Sequence, residues 1–186
     1  YSLRNDYTYT GLTTAGTHVI KMGGNLDYLN YNATKYFNGN PLYTFRASEN
    51  FAYPFQAQYG KGNPTISRPN TQLGLYVQDD YTPFKRLTLN LGLRWDYESN
   101  MFDNEYVTPA TVRAEAAPFN LPASYFSDGT QRSAYMGAIQ PRVGFSYAVN
   151  ESEKTTVFGG WGVFFDRNNF NNALDERFRL QFAVGT

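Results

Sequence analysis

Six stretches of the chain alternate apolar and polar residues with a period of two, the spacing of an extended strand with one greasy and one wet face. The cleanest is LTLNLGLRWDY, residues 87 to 97, in which Leu87, Leu89, Leu91, Leu93, Trp95 and Tyr97 alternate with Thr88, Asn90, Gly92, Arg94 and Asp96. Tyr1 to Thr10 sets Leu3, Tyr7 and Tyr9 against Arg4, Asp6 and Thr8, and Thr17 to Tyr28 sets Ile20, Met22, Leu26 and Tyr28 against Lys21, Asn25 and Asp27. Thr71 to Tyr81 opposes Leu73, Leu75 and Val77 to Gln72, Tyr76, Gln78 and Asp80. Ile139 to Val149 opposes Val143, Phe145, Tyr147 and Val149 to Arg142, Gly144 and Ser146. In the last, Thr155 to Asp166, the greasy face is Val157, Trp161, Val163 and Phe165, and the other carries Phe158, Gly160, Gly162, Phe164 and Asp166.

Short turns, GLTTAG, TPFKR and NESEK, join these strands in pairs, whereas residues 29 to 70 and 99 to 138 form two long polar connections rich in Asn, Gly, Pro and Tyr. Structureless connections of that length are out of place in a compact soluble domain, but short turns at one end and long loops at the other are the pattern of an outer-membrane barrel. The eleven-residue alternation of 87 to 97 fits a membrane-crossing strand of about 9 to 11 residues better than a sandwich strand of about 5 to 6. Turns of odd length keep odd positions on one face of both strands, and TPFKR and NESEK have five residues each. They predict Tyr76 opposite Gly92, and Phe145 and Val143 opposite Gly159 and Trp161. Asp79 is then the one charge on the greasy face, placed beside the turn, where such a charge costs only about 0 to 1 kcal/mol.

Composition sharpens the choice of solvent. Aromatic residues make up 18% of the 186, with 16 Tyr and 15 Phe. No stretch approaches the roughly 20 apolar residues of a membrane helix, and mean hydropathy is −0.53. A transmembrane barrel is compatible with both facts, because only alternate strand residues meet lipid. The charge balance of 16 basic against 16 acidic residues offers no basic stripe for a nucleic acid, and the lack of cysteine excludes disulfide and thiolate chemistry.

The residues also carry a resemblance. LGLYVQDDYTPFKRLTLNLGLRWDYES (73 to 99) resembles the barrel hairpin of TonB-dependent outer-membrane receptors, THVIKMGGNLDY (17 to 28) their His-x-x-Lys-x-Gly-Gly strand, and QPRVGFSYAVNESEKTTVFGGWGVFFDR (140 to 167) their Pro-Arg-x-Gly-aromatic-x-Tyr hairpin. The three together are similar to the Oar-like branch. The resemblance implies active uptake of a bulky, scarce solute across the outer membrane of a Gram-negative bacterium. It also implies that outer-membrane lipid, a lumenal plug, the rest of the barrel and the TonB energy-transducing complex are partners, with no cofactor. The expected fold is all-β: an antiparallel up-and-down transmembrane barrel segment of about six strands, with short periplasmic turns and long extracellular loops. Residues 1 to 186 are expected to be part of the barrel domain, with signal peptide, plug, TonB-contact segment and remaining strands absent. A secreted β-sandwich that binds glycans through aromatic loops, and a structural or adhesive barrel, are the alternatives.

The wet face supplies the candidate site. Lys21, Asp27, Gln78, Asp80, Arg94, Asp96, Arg142 and Asp166 are expected to line the lumen, where they either meet plug and solute or pair with each other to satisfy the wall. Trp95, Tyr97, Tyr147, Trp161 and Phe165 sit near strand ends, where aromatics mark a membrane interface, or pack a core if the fold is a sandwich. The aromatic and amide-rich stretches 28 to 45 and 165 to 178 look like solute-gripping loops, with solvated loop as the alternative. Catalysis is not expected. His18 is the only histidine, its place at a strand start suggests a structural role, and neither NGNP nor GKGNP has the context of a phosphate loop.

Overall fold

The computed structural model describes residues 1–152, 154–167 and 169–185. Glu153 of the NESEK turn, Asn168 of the 165 to 178 stretch and the terminal Thr186 lie outside the described residues. The chain divides into two units: Tyr1–Leu29, Asn70–Ser99 and Ala134–Arg167 form the first, and Asn30–Pro69, Asn100–Ser133 and the remainder from 168 onward form the second.

The first unit is built on a six-stranded antiparallel sheet. Its strands come from the six alternating stretches: β1 (Ser2–Tyr9), β2 (Thr17–Thr34), and, after two short strands β3 (Leu42–Phe45) and β4 (Pro54–Gly62), β5 (Thr65–Phe84), β6 (Leu87–Glu98), β7 (Ala138–Ala148) and β8 (Thr156–Gly162). The order β1-β2-β5-β6-β7-β8 places each strand beside its neighbour among the six, the up-and-down arrangement expected, and the sheet is not closed.

The ladders preserve every face assignment but move one register. Leu3, Tyr7 and Tyr9 pair with Leu26, Met22 and Ile20, and Val143 and Phe145 pair with Trp161 and Gly159 as expected. In the β5–β6 hairpin, Gly92 pairs with Gln78, and Tyr76 pairs with Arg94 instead of Gly92. The cause is Pro83. Tyr81 pairs with Leu89 and Phe84 with Leu87, so Thr82 and Pro83 together oppose the single residue Thr88, a bulge that accommodates an imide with no N–H to give. The hairpin therefore closes on Lys85 and Arg86, two residues further on than a five-residue turn predicts. A slip of two preserves parity, so no side chain changes face. Tyr76 still covers a glycine, but a different one: a Cβ on Gly23 would lie 2.8 Å from its ring, and its hydroxyl reaches past β2 to donate to Asp6 Oδ1 at 2.7 Å.

Strand ends differ too. β2 and β5 run well past Tyr28 and before Thr71, into what the sequence suggested were loops. β8 stops at Gly162, short of Asp166: Val163 N–H still donates to Pro141 O at 2.9 Å, but Pro141 has no N–H to return the bond, so the ladder ends.

The two faces of this sheet are inverted relative to a soluble protein. Its apolar side chains stand exposed across all six strands, among them Leu3, Met22, Leu75, Leu93, Val143 and Trp161. Its buried side chains are mostly polar, Asn70, Gln72, Glu98 and Gln140, all on the wet face. An exposed apolar belt several strands wide suits the lipid-facing surface of a barrel wall, whereas a sandwich buries such a face against a second sheet.

The second unit corrects the expectation of two structureless loops. It holds a three-stranded sheet, β3-β4-β9 with β9 (Phe182–Gly185), and the helices α1 (Ala110–Ala116), α2 (Phe170–Ala173) and α3 (Asp175–Gln181); its core is Ile66, Leu174 and Phe178, flanked by Tyr31, Ala33, Phe37 and Phe170. The aromatics of 28 to 45 and the apolar residues of 165 to 178 thus include core members of this unit. Around that core, Asp103 is clamped bidentately by Arg177, at 2.6 and 3.2 Å, with Arg68 at 3.2 Å. Glu176 accepts from Ser127 and Arg132. Tyr106 lies buried with Arg177 over its ring at 4.4 Å; with no hydrogen-bond partner for its hydroxyl among the described residues, burial pushes its pKa up to about 12.

Candidate functional site

On a strand, alternate side chains share a face, so the wet positions of adjacent ladders form a grid. One network of that grid centres on Asp80, which accepts from Lys21 Nζ at 2.6 Å, Gln78 Nε2 at 2.7 Å and Asn90 Nδ2 at 2.7 Å. A second centres on Asp96, held in a fork by Arg94 Nε and Nη2 at 2.8 and 2.7 Å, with Gln140 donating as well. Arg94 Nη2 also approaches Asn25 Oδ1 at 3.5 Å, and Asn25 Nδ2 donates to Asp27 Oδ2 at 2.8 Å. On the first strand Arg4 Nε and the Tyr76 hydroxyl both donate to Asp6 at 2.7 Å.

Lys21, Gln78 and Asp80 are thus paired in one network and Arg94 and Asp96 in the other, to which Asp27 is joined through Asn25, and this pairing satisfies the wall. Arg142 and Asp166 differ. Arg142 donates to Gln140 Oε1 at 3.3 Å and lies 4.7 Å from the Phe164 ring. Asp166 stands beyond the end of β8, exposed, accepting from the backbone N–H of Arg167 at 2.8 Å. Members of the grid not singled out from sequence, Arg4, Asp6, Asn25, Asn90 and Gln140, were marked by parity alone. The buried pair Gln72 and Glu98, which bond each other, sits in the same grid, with Arg167 donating to Gln72.

The aromatic residues expected at the interfaces separate in the structure. Trp95 stacks on Tyr97 at 6.1 Å and gives its indole N–H to Met136 O at 2.8 Å, while Tyr147 lies at the opposite end of its ladder, with Arg86 5.9 Å from its ring. Amphipathic rings near both ends of the strands suit the two boundaries of a bilayer. Trp161 shares the ladder row of Leu91 and Val143, between the rows of Tyr147 and Trp95, which places it in the middle of the apolar face rather than at an end. Phe165 lies past β8 and packs against Tyr135 at 5.8 Å.

The apolar face also holds a constellation that sequence reasoning missed. Because the hairpin closes late, Asp79 pairs in register with Leu91 and does not sit beside the turn. Its Oδ2 is 2.7 Å from His18 Nδ1, and His18 Nε2 is 3.1 Å from Thr14 O. Both ring nitrogens thus face acceptors, an arrangement that an imidazolium satisfies and that would supply Asp79 with a counter-charge. Tyr81 stacks on the imidazole at 4.3 Å and 9° and donates its hydroxyl to Ala15 O at 2.7 Å. The signal was available: His18 and Asp79 are the polar residues on the greasy faces of two strands predicted to share a sheet.

No curated protein and no solved structure matches the chain. Residues 2–185 match the family model described as an outer membrane beta barrel domain. With an apolar belt on one face of the sheet and a paired polar grid on the other, the chain belongs to the outer membrane beta barrel domain family and resides in the bacterial outer membrane.

Proposed function

We propose that the chain is part of a TonB-dependent transporter that takes up a bulky, scarce solute and performs no catalysis. The observation that carries this reading is the state of the sheet edges. Among the described residues β1 and β8 each have a single ladder partner, whereas a wall in lipid tolerates no free edge. The barrel is then wider than six strands, and a wide lumen is what a plug and a solute path require. The hairpin motifs of 73 to 99 and 140 to 167 support the same family, and the polar grid offers a hydrophilic path. Plug, TonB complex and solute are the partners this reading requires. His18 is committed to Asp79 on the apolar face, away from any solute path, which supports a non-enzymatic role.

Uptake by cells carrying the full-length protein tests it, with labelled oligosaccharides, metal chelates and oligopeptides as probes. Accumulation of one probe class that vanishes with a protonophore or on removal of the TonB complex is expected, and accumulation indifferent to both would overturn the proposal. An adhesive barrel is the second reading, favoured by Tyr43, Phe45 and Phe55 exposed on β3 and β4. Replacing those three by Ser would abolish cell attachment and leave uptake intact if adhesion is the role.

A further inference from the structure

The polar grid leaves the Arg142 guanidinium without an acid. Lys21 is held by Asp80 and Arg94 by Asp96, but Arg142 has no ion pair among the described residues. In register, Gly92 of β6 and Gly162 of β8 stand directly opposite it on either side, and Asn90, Gly144 and Gly160 form the next row. The result is a concavity of about 390 Å³, whose sides are Gln78, Asn90, Arg142 and the exposed ring of Phe164.

Glycine weakens a strand, so a glycine that the backbone does not require calls for another reason. Gly23 and Gly159 have one: an added Cβ would come 2.6 Å from Asn5 O and 2.8 Å from the Phe145 ring, respectively. Gly92 and Gly144 do not. A Cβ there would meet nothing nearer than 3.8 and 3.6 Å, and neither residue has a positive φ. Side chains fit at both positions without strain, so what these glycines preserve is open floor.

The rim defines what the floor is for. Gln78 and Asn90 spend their amide N–H groups on Asp80, which leaves their carbonyl oxygens to accept from an occupant; Asn90 Oδ1 lies 3.6 Å from where a Cβ on Gly144 would be. A site with a guanidinium that has no acid partner, two amide acceptors, one aromatic ring and a flat floor is complementary to a ring bearing hydroxyl donors and one carboxylate. We propose that this concavity binds a sugar acid, with the carboxylate on Arg142, the ring hydroxyls on Gln78 and Asn90, and the ring seated on Gly92 and Gly144 beside Phe164. The proposal rests on the reading of the polar face as a solute path, and it specifies the class of solute.

The test is calorimetric titration of the full-length protein, purified in detergent, with glucuronate, glucose and benzoate. Glucuronate is expected to bind at least tenfold more tightly than glucose, which lacks the carboxylate, and than benzoate, which lacks the hydroxyls. Arg142→Gln should weaken glucuronate at least tenfold. Gly144→Val, which fills the floor, should do the same while the protein keeps the heat-modifiable gel mobility of a folded barrel. Equal affinity for glucuronate and either control, or unchanged binding in Arg142→Gln, would overturn the proposal. Because binding is read at equilibrium without an energised membrane, a protein that binds glucuronate but shows no TonB-dependent uptake refutes the transport reading and upholds the site. Energised uptake with no glucuronate binding refutes the site alone.

Discussion

Leu174 and Leu93 are the same residue type in opposite worlds. Leu174, at the end of α2 in the second unit, is 0% exposed and packs on Ile66 and Phe178. Leu93, in the middle of β6 in the first, is 47% exposed while the polar Gln140 across the ladder from Arg94 is 2% exposed. Around Leu174 the second unit hides apolar side chains from water within itself; the sheet presents its apolar face outward and buries amides and a carboxylate on the other. The difference teaches that burial within the chain is not a measure of hydrophobic stabilisation here, because lipid supplies for the sheet the environment that a core supplies for the second unit.

Truncation separates the two most strongly. Leu174→Ala should destabilise the second unit by about 4 kcal/mol, since it forfeits both the transfer free energy and the packing around a cavity that its neighbours cannot fill. Leu93→Ala should cost only about 1 to 2 kcal/mol, the transfer contribution alone, because lipid chains flow into the space. Denaturant unfolding of the protein refolded into vesicles, followed by limited proteolysis for the second unit and by Trp fluorescence for the sheet, reads both. Equal costs would mean that something solid covers the apolar face.

Charge sharpens the comparison across one strand. Leu91 and Asn90 are neighbours on β6 that project to opposite faces. Leu91→Arg should destabilise the barrel in vesicles by about 2 to 4 kcal/mol, the cost of a guanidinium deep in hydrocarbon, whereas Asn90→Arg, on the wet face beside Asp80, should cost less than about 1 kcal/mol. If the two substitutions behave alike in the same refolding assay, the faces are not in different solvents.

The sheet was legible in the sequence because period-two alternation is a local signal that fixes which residues share a face, and parity survives a register slip. The slip itself was not legible, because it depends on how the ladder absorbs Pro83, a choice between a wide turn and a bulge that involves Thr88 on the partner strand. The early end of β8 follows the same logic, set by Pro141 on β7 rather than by anything in β8. The second unit escaped because its core joins distant segments: Phe170, Leu174 and Phe178 recur at a helical spacing of four, but Ile66 comes from β5, and Asp103 meets Arg177 only after the chain has returned from β8. At the site, parity located the polar grid and set Arg94 beside Asp96 and Arg4 beside Asp6 on single strands, but not the pairing of Lys21 with Asp80, which sit on neighbouring strands. That Arg142 is left over depended on its neighbours in the ladder being Gly92 and Gly162.

The smallest expected effect concerns the exception within the apolar face itself. His18 and Asp79 are half-buried there, joined at 2.7 Å, so the charge of Asp79 has a hydrogen-bonded partner on the same face. His18→Ala strips the counter-charge and leaves Asp79 in contact with lipid, where it must either stay ionised at a cost or take up a proton. We expect a destabilisation of about 1 to 2 kcal/mol at neutral pH, below the cost for a fully buried pair because both groups retain some exposure. Asp79→Leu in the same background removes the stranded carboxylate and should recover most of that loss, so the double variant should be more stable than His18→Ala alone. The pair of single variants and the double variant form a cycle whose coupling energy, measured by urea unfolding in vesicles, isolates the interaction from the packing of the imidazole against Tyr81. A coupling near zero would show that Asp79 is already solvated in the wild type and that water reaches the apolar face at this height. A clear coupling that disappears in a detergent with a hydrated surface would tie the pair to lipid, because the same two residues would then matter only where the solvent outside the sheet is hydrocarbon.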